Sequence, residues 1–308
     1  MSPKTIAFLL FFRALFLSCG PEVKTGGFER GRKHYQIGAV GRLDKVVRES
    51  SGLALADRQW AGWRPVRQSN WSSTDTISLL THGDSGNGPR LFQVSPTGRV
   101  LDELVVQKTT NIDWEDMARD DEGNLYLGDF GNNANARRNL AIYKVRLDEQ
   151  GQPGQVDTIR FYYPDQRQFP PPGEDDLNFD CEAMFWYNGR LHLFSKNLSQ
   201  TQQRVVKHYV LPDHKGYHEA VLDEKTIVLP EPITAADVSL DGKRFALLSY
   251  GKIYVFDMSL SGNIFDHPRY VIKFPRAGQA ESLVFINSVD FIFGNETGRL
   301  FLAKFRGQ

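Results

Sequence analysis

DWEDMARDDEGNLYLGDFGNNANARRNLAIYKVR, residues 113–146, holds three short apolar runs separated by a DEGN turn and by a loop of glycine, asparagine and arginine. Short runs rich in branched and aromatic residues and bounded by Gly, Asn and Asp read as strands joined by turns. The stretch opens on two acids, Asp113 and Glu115, and its layout returns along the chain. Residues 49–54 read ESSGLA, 180–185 DCEAMF, 235–240 AADVSL and 279–284 QAESLV. After these come second strands ISLLTH, NLYLG, RLHLFS, RFALLSY and DFIFG, and third strands LFQV, LAIYKV, RVVKHYV, KIYVF and RLFLAKF. VLDELVV, TIRFYY, EKTIVL and YVIKF then stand as fourth strands, each just before the next acidic start.

The register is regular. Glu115 to Asp129, Glu182 to Lys196, Asp237 to Gly251 and Glu281 to Asn295 are each fourteen positions apart. Only the first unit is interrupted, by an insertion over roughly residues 56–75 that carries Trp60, Trp63 and Trp71. Internal repeats of this kind point to stacked or radial architecture. The last unit lacks a fourth strand, yet HYQIGAV at 34–40 precedes ESSGLA just as the other fourth strands precede their units. The expected fold is therefore all-β: a β-propeller of five blades, each of four antiparallel strands, closed by an N-terminal strand that removes the open edges. The rival is a sixth blade within the long connections.

The chain of 308 residues balances 37 Lys and Arg against 37 Asp and Glu. Such a balance gives no global field for nucleic acid, and no nucleic-acid partner is expected. At the N-terminus Lys4 precedes the apolar run TIAFLLFF, Arg13 interrupts it, and ALFLSCG follows. This layout is that of a secretory signal, and the end resembles a bacterial lipobox in which cleavage precedes Cys19 and the cysteine is acylated. Arg13 opposes the reading, since a charge within an apolar helix costs about 2.5–3.5 kcal/mol on insertion scales; a plain signal or a short anchor are the alternatives. The expected organisation is a signal over 1–19, a flexible tether over 20–33 and one domain over 34–308. Cys181, the second of two cysteines, is then unpaired and reads as a small buried hydrophobe.

In a propeller the first residues of the inner strands ring one opening of the channel. That places Glu49, Asp113, Glu115, Asp180, Glu182, Asp237 and Glu281 there. Side chains alternate along a strand, and the fourteen-residue register selects Glu115, Glu182, Asp237 and Glu281 as one column, with Glu49 level with Asp113 and Asp180. Crowded carboxylates must be protonated, paired or neutralised by a cation. An oxygen-only set suits calcium (Ca2+); the alternative is that the acids accept backbone N–H groups.

Two related loops, GDSGN at 83–87 and GDFGN at 128–132, lie on the same face. They read either as turns or as carriers of ligands: Asp84, Asp129, Asn132, Asn133 and Asn135, with Arg137 nearby and Lys196 and Glu296 at similar junctions. GDSGNGP resembles the nucleophile motif of trypsin-like proteases, but the earlier histidines, His34 and His82, lack that family's setting. No Walker loop, dinucleotide fingerprint or zinc-spaced histidine pair is present. The tryptophans of the insertion offer an aromatic platform for carbohydrate or peptide.

The string NIDWEDMARDDEGNLYLGDFGNNANARRNLAIYKV, with DCEAMF, ITAADVSLDG and QAESLVF, resembles a family of secreted bacterial β-propellers of unknown function. More distantly it is similar to SdiA-regulated and esterase-like-phytase-type propellers. The resemblance covers essentially the whole mature chain and implies calcium at Asp113, Glu115, Asp180, Glu182 and Glu281. The chain departs from it at Gly83, where relatives tend to carry Asn. The expected function is an exported, lipid-anchored binding or scaffold module of the bacterial cell envelope, a monomer, with calcium at its acidic mouth and a small-molecule, carbohydrate or protein ligand. The alternative is a calcium-dependent hydrolase of phosphoester, ester or lactone substrates with Glu115 or Glu182 as base.

Overall fold

A computed structural model of the chain describes residues 27–56, 77–197, 204–259, 262–274 and 278–307. The signal, Cys19 and the tryptophan-rich insertion lie outside these residues. Five antiparallel sheets form a ring in which each inner strand packs against the next and the fifth returns to the first. Blade one is Ser50–Leu55, Leu79–Gly83, Arg90–Val94 and Val100–Val105; blade two is Trp114–Arg119, Leu125–Asp129, Ala141–Leu147 and Pro153–Tyr162. Blade three is Cys181–Tyr187, Arg190–Ser195, His208–Pro212 and Val221–Leu222; blade four is Ile233–Val238, Arg244–Ser249, Lys252–Asp257 and Pro268–Lys273. Blade five takes Ala280–Phe285, Phe291–Asn295 and Arg299–Phe305 from the end of the chain and Tyr35–Arg42 from its start, paired antiparallel from Tyr35 opposite Phe305 to Arg42 opposite Arg299.

Turn chemistry sets these pairings. Asn188 and Gly189, both at positive φ (49° and 75°), close the hairpin of blade three, as a tight two-residue connection requires. In blade two Asp120 Oδ1 accepts the N–H groups of Glu122 and Asn124 at 3.0 and 2.8 Å, folding DDEGN back on itself. Alternate residues face the neighbouring blades, so the core is divided into five apolar clusters, one at each blade interface. Leu125, Leu127 and Val145 pack toward blade one, whereas Tyr126 and Ile142 from the same strands pack toward blade three. Each such side chain, fully buried, stabilises the ring by about 1.5–3 kcal/mol.

The outer strands depart from the regular pattern. Ile227–Val228 pairs with Val205–Val206 in a separate ribbon, and Val221–Leu222 is the fourth strand of blade three instead. Gly216–Glu219 adds in parallel to the outer strand of blade two. Of the stretch expected as a tether over 20–33, residues 27–33 are described: Glu29–Arg30 adds in parallel to the outer strand of blade four, and Phe28 sets its ring edge-on against Tyr254 and Phe256. Among the described residues no helix is long and apolar enough to cross a membrane.

Candidate metal centre at the channel mouth

Every inner strand carries a bulge just inside the mouth, between Ser51 and Leu53, Trp114 and Met117, Cys181 and Ala183, Ile233 and Ala235, and Ala280 and Ser282. A bulge adds a residue to one strand and re-aims its side chain. Aligned by these bulges, Glu115, Glu182 and Glu281 share a column with Gly52 and Thr234. Thr234 therefore occupies the position expected for Asp237, and its hydroxyl donates to the Ala280 carbonyl at 2.6 Å. Asp237 pairs with Ala246 farther along the strand, and its Oδ2 accepts the Phe285 N–H at 2.7 Å. It lines a small space with Leu55, Ala118, Arg119 and Phe285 at the opposite end of the inner strands.

At the mouth, Asp84, Asp113 and Glu115 converge, with one carboxylate oxygen of each within 4.8 Å of the others. Asp84 is held by its loop: the Ser85 N–H donates to its Oδ1, Asn87 Nδ2 donates to its carbonyl at 3.0 Å, and Asn111 Nδ2 ties the Gly83 and Asp84 carbonyls to blade two. GDSGN is thus a turn that also delivers a carboxylate. Gly131 closes the site from the side, since a Cβ there would overlap both Glu115 Oε1 and Asp113 Oδ2. The Glu115 carboxylate is 4% exposed and receives no hydrogen bond among the described residues. Burial first, then Glu182 and Asp84, push its carboxyl well above the usual range. Burial and Asp84 do the same, more mildly, to Asp113.

Blade three supplies the other half of the mouth. Asp180 accepts the Asn132 N–H on Oδ1 at 2.6 Å, while its buried Oδ2 has no donor. Burial holds Asp180 near a pKa of about 6 against the lowering effects of Asn132 and Lys196. Lys196 Nζ lies 2.7 Å from Glu182 Oε1, with both side chains nearly covered. Burial opposes the lysine's charge, but Glu182, Tyr250 and Asp180 together outweigh it and raise the amine above its ordinary range. Glu182 remains well above the ordinary range, raised by burial and Asp180 and only partly relieved by Lys196. Glu281 is raised by burial, with Gln279 and Lys196 lowering it and Glu296 and Asp84 raising it. Tyr250 faces Lys196 and is pushed up to about 12, mainly by burial.

The remaining sequence candidates lie elsewhere. Glu49 is exposed at positive φ, and its carbonyl rather than its carboxylate takes part, accepting the Asp84 N–H at 3.0 Å. Asp129 is bound to Arg137 at 3.0 Å and accepts the Asp113 N–H at 3.1 Å. Asn132 and Asn135 clasp Phe179 of the next blade through its carbonyl and N–H, at 3.0 and 2.7 Å. Arg137 completes this clasp on the Gly131 carbonyl, while Asn133 is exposed. GDFGNN thus acts as a joint between blades two and three.

Two buried groups escape a reading by alternation. Asp116, adjacent to Glu115, lies across the axis: Oδ1 accepts the Met117 N–H at 2.9 Å, and Oδ2 accepts those of Met184 in blade three and Ala236 in blade four, at 2.8 and 3.0 Å. Its carboxyl is pushed well above the usual range by burial, against those three donors. His82, wholly buried against the edge of Trp114, keeps a neutral ring with its pKa lowered to about 4 by burial. The pairing of two neighbouring acids in DWED was the available signal for Asp116.

Fold and site together define a five-bladed β-propeller with an acid-lined axial mouth. No family model matches the chain, and no curated protein does. Similar solved structures include the PQQ-bound aldose sugar dehydrogenase of Streptomyces coelicolor, 11% identical, covering 88% of this chain and 98% of that one, with a TM-score of 0.49. A gluconolactonase of Xanthomonas campestris is 12% identical over 88% of this chain and 90% of its own, with a TM-score of 0.43. The calcium structure of a Trichoderma reesei carbohydrate-active enzyme of family AA12 is 8% identical over 92% and 100%, with a TM-score of 0.44. At such identities the likeness concerns the fold alone.

Proposed function

We propose that the protein is an exported β-propeller of the bacterial cell envelope, a monomer held to a membrane through Cys19, that binds a calcium-like cation at Asp84, Asp113 and Glu115 and receives a ligand at that mouth. The observation that carries the cation is the convergence of three carboxylates within 4.8 Å. Among the described residues no donor reaches the buried Asp180 Oδ2, and burial leaves Glu115 only 4% exposed with Glu182, Asp84, Asp180 and Asp113 acting on its carboxyl. Hard, flexible oxygen donors suit calcium better than thiophilic metals. Lys196 is already engaged by Glu182 on the far wall, so it leaves the trio's charge to be met by protons or by an ion.

The test is metal content by mass spectrometry, with calcium-dependent melting, on the full chain and on Glu115→Gln. A stoichiometric ion and a raised melting point that the variant lacks support the reading. No ion and no shift, or a shift the variant retains, overturn it.

A second reading, a hydrolase of phosphoesters, esters or lactones, is favoured by the carboxyls of Glu115 and Glu182, which burial and neighbouring acids push well above the usual carboxylate range. Such groups suit general acid–base work. A bound cation supplies polarisation of a substrate oxygen; Glu182, oriented by Lys196, takes up or returns the proton. Turnover of a lactone or phosphoester probe that Glu182→Gln abolishes without loss of calcium binding would distinguish it from a binding module.

A further inference from the structure

A strongly basic rim lies apart from the mouth, where the chain enters the ring. Glu29–Arg30 lies along the outer strand of blade four, Gly31–Lys33 makes one tight turn, and Tyr35 begins the closing strand of blade five. Arg30, Arg32 and Lys33 are all exposed on this bridge between blades. Arg32 Nε donates to the Lys273 carbonyl at 3.2 Å, which brings the exposed Lys273 alongside. The Arg306 N–H donates to the His34 carbonyl at 2.8 Å and its Nε to Gln36 Oε1 at 3.2 Å, adding a fifth exposed cation. None of the five pairs with a carboxylate among the described residues, and the one acid of the stretch, Glu29, lies 3.5 Å from His34. Because the whole chain carries a formal charge of zero, this excess is local.

Cys19 stands eleven residues before Arg30. A chain of that length spans at most roughly 40 Å when fully extended, so an acyl group on Cys19 confines this rim to the neighbourhood of a bilayer. A polybasic patch beside a lipid anchor is a common accompanying membrane signal.

We propose that Arg30, Arg32, Lys33, Lys273 and Arg306 form a docking surface for anionic phospholipid headgroups, resting on the anchored-propeller reading, and that it fixes how the ring lies against the membrane. Each cation near an anionic surface multiplies binding by roughly fivefold at low salt. Phe28 and the parallel strand hold the bridge rigidly, so its cations meet the surface as a group.

The experiment is flotation of the full chain, unacylated through Cys19→Ser, with vesicles of phosphatidylcholine containing about a third phosphatidylglycerol, and with vesicles of phosphatidylcholine alone. The same is done for the triple variant Arg30→Glu, Arg32→Glu, Lys33→Glu. The apolar signal contributes to both vesicle types, so the readout is the excess partition onto the anionic one. An excess that falls by at least about a hundredfold in the triple variant, since each substitution removes a fivefold cation and adds a repelled carboxylate, supports the rim. No excess in the unacylated chain, or an excess the variant keeps, overturns it. If the triple variant does not fold, Lys273→Glu with Arg306→Glu gives the same comparison. Mass analysis of the wild-type chain is read separately: an unmodified Cys19 removes the anchor while a charge-dependent excess still stands.

Discussion

Asp116→Ala removes the group that joins three blades across the axis. Two of its hydrogen bonds run to other blades, at 2.8 Å to Met184 and 3.0 Å to Ala236, and the third is local, at 2.9 Å to Met117. Each buried N–H left without an acceptor costs about 1–3 kcal/mol. Relief of a carboxylate that burial already disfavours offsets part of this, so the expected loss is about 3–5 kcal/mol, large beside the 5–15 kcal/mol typical of a folded domain. Asp116→Asn keeps one acceptor oxygen. Turned toward blades three and four, it retains both long bonds and sets its NH2 against the Met117 N–H, for a loss of about 1–2 kcal/mol. Urea unfolding followed by tryptophan fluorescence reads both, as midpoints that move while the slope stays constant. A loss below about 1 kcal/mol for Ala, or equal losses for Ala and Asn, would refute the axial bridge.

Gly131→Ala introduces a methyl against Glu115 and Asp113; calcium-dependent stabilisation should vanish while the calcium-free melting temperature changes little, and retained calcium response would count against the trio. Calcium uptake should release protons, because Glu115 and Asp113 hold theirs to higher pH than ordinary carboxyls; affinity therefore falls as pH drops, and an affinity that does not change on acidification contradicts this site. His82 has a folded pKa of about 4 against 6.5 for a free ring. The unfolded chain thus takes up its proton first, and stability is lost as pH falls from 6.5 toward 4, by up to about 1.4 kcal/mol per pH unit. His82→Gln should flatten the fall of the urea midpoint across that window; an unchanged slope means that His82 is not buried neutral. Lys196→Met leaves Glu182 without its partner and should raise the pH at which the mouth ionises, seen as a shift of calcium binding to higher pH.

Blade number, strand order and ring closure were legible because each is written in local signals: apolar runs, Asn-Gly and Asp-Gly turns, and a start-of-chain strand in the place of a missing fourth strand. Register was harder. The fourteen-residue spacing from Asp237 ends at Gly251, which lies beyond the second strand in the turn to the third. The position at the bulge of this strand is Thr234, between Ile233 and Ala235, so equal spacing along the chain did not mark equal register, and counting placed Asp237 in the column where Thr234 stands. The bulges were the second obstacle. Strict alternation sends Glu115 and Asp116 to opposite sides, whereas the break in register between Trp114 and Met117 lets one meet Asp84 and the other reach Ala236. Whether an asparagine in GDFGNN faces a ligand or a neighbouring blade depends on long-range partners such as Phe179, which no local pattern encodes.

Closure by the first strand also dictates when the molecule can become whole. Gln36 and Arg306, hydrogen-bonded in blade five, stand 270 residues apart, so during synthesis the opening strand waits for almost the last residue before it finds its place. Contacts of such range are slow to form. The acids of the mouth come from blades one, two, three and five, and their mutual repulsion peaks only when Glu281 is drawn up beside the others. Ring closure thus also completes the crowding of carboxylates at the mouth, by adding Glu281 of blade five to acids that blades one to three already supply.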